Sequence, residues 1–200
     1  MTKKLILFAC VSFLFAANRV RGQSAGLLTE FNEREQRSTR AGMLTLGGWA
    51  VSNVAVSGLS LSTAEGSRYH FHQMNIFWNA VNITLAGIGY YRAARKDVSQ
   101  LSLVQTIKDH HSLRRKLLFN AGLDGAYLVG GLYLLQRAKN EPSKAARWRG
   151  YGQSVVLQGA FLLVFDAAFY AVVRTQAKPL DILIKKLTVS HQGIGIIHQF

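Results

Sequence analysis

The sequence predicts an all-α fold: a four-helix transmembrane bundle with a short interfacial helix between the second and third spans. Three observations carry that expectation. Four apolar stretches, Ala41–Leu61, Met74–Tyr91, Leu117–Leu135 and Ser154–Val173, alternate with charged connections. Each approaches the ~20 residues that cross a bilayer core at ~1.5 Å of rise per residue. None contains Lys, Arg, Glu or Pro, and the only charges inside them are the carboxyls of Asp124 and Asp166.

Composition agrees. The chain has 200 residues, 49% of them hydrophobic, yet its mean hydropathy is only +0.11. That balance fits one domain whose connections are as charged as its spans are apolar. The 24 Lys and Arg against 10 Asp and Glu would point to nucleic acid if they interleaved with aromatics on one surface. They cluster instead at Arg92, Arg95 and Lys96, at Arg114, Arg115 and Lys116, and at Arg147 and Arg149. Each cluster lies beside an apolar run, where cations meet anionic lipid headgroups. The expected partners are therefore the bilayer and its headgroups, with a homo-oligomer or a second membrane protein, and no nucleic acid. Cys10 is the single cysteine, which excludes a disulfide framework, a thiolate metal site and a thiol relay of the quinone-linked oxidase type.

Residues 1–22 read as a signal peptide that is cleaved. Lys3 and Lys4 precede the apolar run Leu5–Ala17, too short to span, and small or apolar Val20 and Gly22 stand before Gln23. Residues 23–40 form a charged lead-in able to run as a helix into the first span, and residues 41–175 the four-span transmembrane domain. Val98, Leu101, Val104 and Ile107 recur every third residue behind Asp97, the pattern of a capped interfacial helix. Asn140–Ser143 is a turn, Pro179 closes the last helix region, and residues 176–200 make an amphipathic tail. Two orientation signals oppose each other. A cleaved signal leaves residue 23 outside, whereas the larger share of flanking Lys and Arg then also falls outside, against the positive-inside rule.

The spans carry internal echoes. Trp49, Asn53 and Gly58 of the first match Trp78, Asn82 and Gly87 of the second in register, and Asp124 with Tyr127 parallels Asp166 with Phe169. The run Gly42–Ala50 with Asn53, then Met74-Asn75 through Trp78–Asn82, then Asn120–Asp124, then Gln158-Gly159 with Phe165-Asp166 resembles a family of small four-span bacterial membrane proteins of unknown function. The likeness covers roughly residues 30–175. It implies the architecture, a signal-like leader and a place in a bacterial inner membrane, and it implies no activity.

Helical phase aligns Asn75, Asn79, Asn82 and Ala86 on one stripe of the second span, Asn120, Asp124, Tyr127 and Gly131 on the third, and Gln158, Leu162, Asp166 and Tyr170 on the fourth. These stripes face the bundle, because an amide or carboxyl in hydrocarbon costs several kcal/mol when nothing bonds it. Counting along antiparallel helices puts Asp124 and Asp166 about 10 Å from one membrane face, Asn82 about 13 Å, and Asn53 and Asn79 about 18 Å. The expectation is one intramembrane polar layer of Asn53, Asn79, Asn82, Asp124, Asp166 and Tyr127. Two adjacent carboxyls cannot both ionise cheaply, so they can share a proton.

No enzyme is expected, and no cofactor or metal. His70 and His72 precede the second span and His110 and His111 the third, on opposite faces, so they cannot form one metal site, and headgroup or structural contact is expected of them. No span contains a His to hold haem. The Leu-Asp-Gly and Phe-Asp-Ala contexts lack the Gly-x-Gly-Asp pattern of intramembrane aspartyl proteases. The functional expectation is a non-catalytic structural or interaction component of the envelope. The alternative is a small proton- or cation-linked transport or channel component that uses the Asp/Asn layer. Gly42, Gly47, Gly48 and Gly58 are the expected close-packing surface.

Overall fold

The computed structural model describes the backbone of residues 2–185, 187–190 and 193–196, and the side chains of residues 26–182 and 184. The leader expected over residues 1–22 lies outside the described side chains, as does most of the tail beyond residue 182. Four long helices make the fold: α1 Thr2–Leu61, α2 Gly66–Arg95, α3 Leu103–Asn140 and α4 Ala145–Gln176. A short α5, Lys178–Lys185, and a hairpin of β1 Leu187–Ser190 with β2 Gly193–Ile196 follow. The two strands are antiparallel, with Leu187 opposite Ile196.

α4 is the central post. It packs along α3 on one side and α2 on the other, and α1 packs on α2, while the α2 and α3 backbones stay apart and meet through side chains such as Trp78 and Tyr127. The chain can turn tightly from α1 into α2 because Gly66 takes φ +56°, a left-handed conformation that a Cβ disfavours. Among the described residues, three segments are long and apolar enough to cross a membrane, Gly26–Leu61, Leu103–Asn140 and Pro142–Ile182.

The charged lead-in is helical, as its sequence allows. Glu30 pairs with Arg34 and Glu33 with Arg37 one turn on, the favoured order for such pairs, each worth about 0.3–0.5 kcal/mol when exposed. The lead-in thus extends the first span into a helix much longer than a bilayer core is thick.

The interfacial helix expected behind Asp97 does not form as a separate element. Asp97 accepts from the Ser99 N–H and hydroxyl instead, bonds that hold its carboxyl below the usual range. Ser102 caps the helix that follows, accepting from the Gln105 N–H, and α3 then runs without a break to Asn140. The reason lies in its buried face. His110, Leu117, Asp124, Gly131 and Ala138 are all buried and recur every seventh residue, with Thr106 one turn before the first. That is the seam of a helix crossing its neighbour at a shallow angle. The apolar residues at three-residue spacing are not this seam, since Val104 is 62% exposed. Pro179 also acts differently from expectation, opening α5 at its second residue, where a missing N–H is harmless.

At the α3–α4 turn, Glu141 accepts from Trp148 Nε1 (3.0 Å) and from Arg137 Nε (2.7 Å). The Trp148 bond first, and Arg137 second, hold its carboxyl below the ordinary value of 4.5. A depressed folded pKa gives stability that is present above 4.5 and lost as pH falls through the folded value. Wild type and Glu141→Gln should therefore differ in thermal unfolding at neutral pH and converge in acid. A gap unchanged with pH would show that the ionised carboxyl contributes nothing.

Candidate functional site

Where α1, α2 and α4 meet, polar side chains bond one another, with Asn79 Oδ1 left without a partner among the described residues. Asn75 donates to Asn53 Oδ1 (3.0 Å) and Ser57 Oγ (2.8 Å). Gln158 donates to Asn75 Oδ1, and Trp49 Nε1 donates to Gln158 Oε1 at 3.0 Å. Asn79 donates back to the Asn75 carbonyl, and His72 Nδ1 lies 3.2 Å from Ser57 Oγ. Trp49 stacks flat on Phe161, with ring centroids 3.9 Å apart. Asn75, Asn79, Gln158 and Ser57 are all fully buried. Three helices are thereby tied at one height by side chains that have no other partner in an apolar surround.

A different environment surrounds the acids. Asp124 on α3 and Asp166 on α4 are neighbours on one cavity wall, at 3% and 5% exposure. They stand at a cavity of about 400 Å³ between α3 and the α1/α2 pair. Asn82 is on its opposite wall, Trp78 meets Tyr127 edge-on at 4.7 Å, and Asn120 opens onto it. Asn82 Nδ2 and Asp124 Oδ2 are buried with no partner among the described residues. Lys116 is the one cation lining this space among the described residues, two helical turns from Asp124.

The expected single layer is therefore two groups. Asn53 and Asn79 belong to the bonded network, whereas Asn82, Asp124, Asp166 and Tyr127 line the cavity. Gln158 and Asp166, eight residues apart on α4, place the groups about 12 Å apart along the axis. Counting residues already set Asn53 and Asn79 about 8 Å deeper than the two acids, but which side chains bond and which line a cavity depends on how the helices pack. Gln158, Asn75, Ser57 and Trp49, which complete the network, differ from the named residues only in their partners. The stripe pattern already contained the first two.

Outside the apolar zone, the lead-in of α1 packs on the first turns of α3. Glu35 bonds His110 Nδ1, Thr106 donates to Asn32 Oδ1 at 2.9 Å, and Phe31 meets the His110 ring edge-on. His110 is 2% exposed, so of the two contacts expected, headgroup or structural, it makes a buried structural one. Several rim cations are also paired within the chain, Lys96 with Asp109 and Arg114 with the Tyr170 hydroxyl. Of the four glycines expected at close contacts, Gly42 faces Phe169 and Gly47 faces Ala86, while Gly48 and Gly58 have nothing within 4 Å. Tight backbone approaches occur between α2 and α4, where a Cβ on Gly150 would lie 2.7 Å from Phe71 N, and between α3 and α4. A Cβ on Gly131 would lie 2.9 Å from Val156 N, and one on Gly152 would lie 2.8 Å from Gly131 O.

Fold and site together define a helical bundle protein with, among the described residues, three helices of membrane-crossing length and apolarity, a polar interior and an acid-lined cavity. The chain belongs to DUF6992, a family of unknown function, whose model matches residues 45–167. That match takes in both polar groups and lies within the stretch over which the sequence resemblance ran. No curated protein and no solved structure matches the chain.

Proposed function

We propose that this is an integral, non-catalytic membrane protein whose four long helices all cross the bilayer, a structural or interaction component that presents a shaped intramembrane surface. One observation carries the reading: polarity is inverted relative to a protein in water. Leu59, Val129 and Val164 are 81%, 68% and 70% exposed, while Asn79 and Gln158 are completely buried. An exterior of that kind is stable only against hydrocarbon. α2 fits as the fourth span. Its amides lower its overall apolarity, yet Asn75, Asn79 and Asn82 turn inward and Phe77, Leu85 and Ile88 turn outward. Placement in a bacterial inner membrane rests on the leader-like first 22 residues and on the sequence resemblance.

The test is topological. With Cys10→Ser as background, cysteines at Thr63 and Ser143 should react with an impermeant maleimide from one side of the membrane, and one at Ser99 from the other. The protein should also stay in the membrane pellet through alkaline extraction. Labelling of all three positions from the same side, or release into water without detergent, sinks the reading.

A second reading, a proton- or cation-linked transport component, is favoured by the unpartnered Asp124 oxygen at the cavity. It expects pH-driven or cation uptake into proteoliposomes that Asp124→Asn and Asp166→Asn abolish. Equal uptake by the variants refutes it.

A further inference from the structure

We propose that the cavity between α2 and α3 binds a single-chain amphiphilic amine drawn from the bilayer, its ammonium seated on Asp124 and Asp166 and its chain directed out between the two helices. The inference rests on the membrane reading above and needs no translocation.

Shape comes first. α4 carries α2 on one flank and α3 on the other, and those two approach chiefly through the edge contact of Trp78 with Tyr127; beside it the cavity-lining Val81 and Leu85 of α2 and Leu123 of α3 are exposed, so the cavity opens laterally between them. The opening leads to about 400 Å³ of space, within the ~300–1,000 Å³ of small-molecule sites. Its walls are mainly apolar, with Leu85 and Leu123 at α2 and α3, and both are exposed. A hydrocarbon chain entering there stays in an apolar medium throughout.

Chemistry selects the head. The polar end carries two neighbouring buried carboxyls, and even with one proton shared the pair retains a negative charge. An ammonium brings up to three donors. It supplies one to the free Asp124 oxygen, satisfying a buried group otherwise left without a partner. Trp78, Tyr127 and Phe165 surround the same end, and aromatic faces attract a desolvated cation. An amphiphilic carboxylate is disfavoured, because its charge would face both acids. Lys116, at the end of the cavity nearer the lead-in, repels a cation approaching along the bundle axis, which leaves the lateral gap as the entry. A hydroxyl beside the amine could accept from Asn82 Nδ2, the other unpartnered atom on the wall.

The experiment uses the full chain in phosphatidylcholine nanodiscs, titrated with dodecylamine, dodecanol and dodecanoate against empty discs. Trp78 is one of three tryptophans and reports from the cavity wall. Dodecylamine should give a saturable emission change, lost in Trp78→Phe, with affinity about tenfold or more above both other probes, a ~1.4 kcal/mol preference. Asp124→Asn with Asp166→Asn should bring the amine down to the level of the alcohol without changing thermal unfolding. If that pair of changes impairs folding, Asn120→Phe tests the site with both acids intact, by filling the open part of the cavity from an exposed position. Amine affinity equal to that of dodecanol, binding retained in the Asp→Asn protein, or binding undiminished by Asn120→Phe each overturns the proposal. A chain that enters nanodiscs but ignores the amine refutes this inference alone, whereas one that does not enter them refutes the membrane reading.

Discussion

Gly131→Leu should prevent α3 from seating on α4 and lower the stability of the bundle by about 3 kcal/mol or more, at or above the upper end of the usual cost of overpacking. The obstruction is backbone. A Cβ at Gly131 would stand 2.9 Å from Val156 N and 3.0 Å from Gly152 O, and neither atom can rotate away. Relief would require the whole of α4 to shift, which would also disturb its contact with α2. Gly130 provides the control on the same helix, with nothing within 4 Å of its Cβ position. Gly130→Leu should change stability little, because it adds side chain on an open face while improving helix propensity by about 0.5–1 kcal/mol. Titration of the detergent-solubilised protein with a denaturing detergent measures both. If the two leucine variants unfold at the same point, close α3–α4 approach is not what holds the fold.

The second large effect is expected at Gln158. This one amide accepts from Trp49 and donates to Asn75, so it links α4 to α1 and α2. Gln158→Leu is close in size but leaves the Trp49 N–H unpaired and Asn75 Oδ1 with only the 3.3 Å bond from Asn79 Nδ2. At about 1–3 kcal/mol for an unsatisfied group, tempered by the weaker net worth of such bonds in membranes, we expect a loss of about 2 kcal/mol. Trp49→Phe removes that orphan in advance. The double variant should therefore lose less than the two singles added together, by about 1 kcal/mol. Strict additivity would mean that the Trp49–Gln158 bond contributes nothing to the folded state.

The two groups of polar side chains were unequally legible in the sequence. That Asn53, Asn79, Asn82, Asp124 and Asp166 point inward followed from helical phase and the cost of an amide or carboxyl in hydrocarbon. Which of them bond to one another did not follow. Asn53 meets Asn75 and Gln158 rather than Asn82, its counterpart in the internal echo, because the partner depends on how far one helix slides and rotates against the next. That offset is set at contacts such as Gly131 on Val156, where the sequence reads simply as one more small residue in an apolar run. The Glu35–His110 pair left no local trace, since its members stand 75 residues apart. His110 seemed to belong to a polar connection only because the apolar part of α3 begins at Leu117; the seven-residue seam that includes it mixes polar and apolar types.

By itself the sequence determined the helical class, the positions of the long helices and which faces are polar, because those depend on local periodicity and on the cost of exposing each residue type to water or lipid. The tertiary structure alone decided that the polar residues divide into a bonded network and an acid-lined cavity, and that the cavity opens between α2 and α3. Both outcomes depend on the axial offset and spacing of helices around α4. Steric fit between residues far apart in the chain fixes those quantities, and no one-dimensional pattern records them.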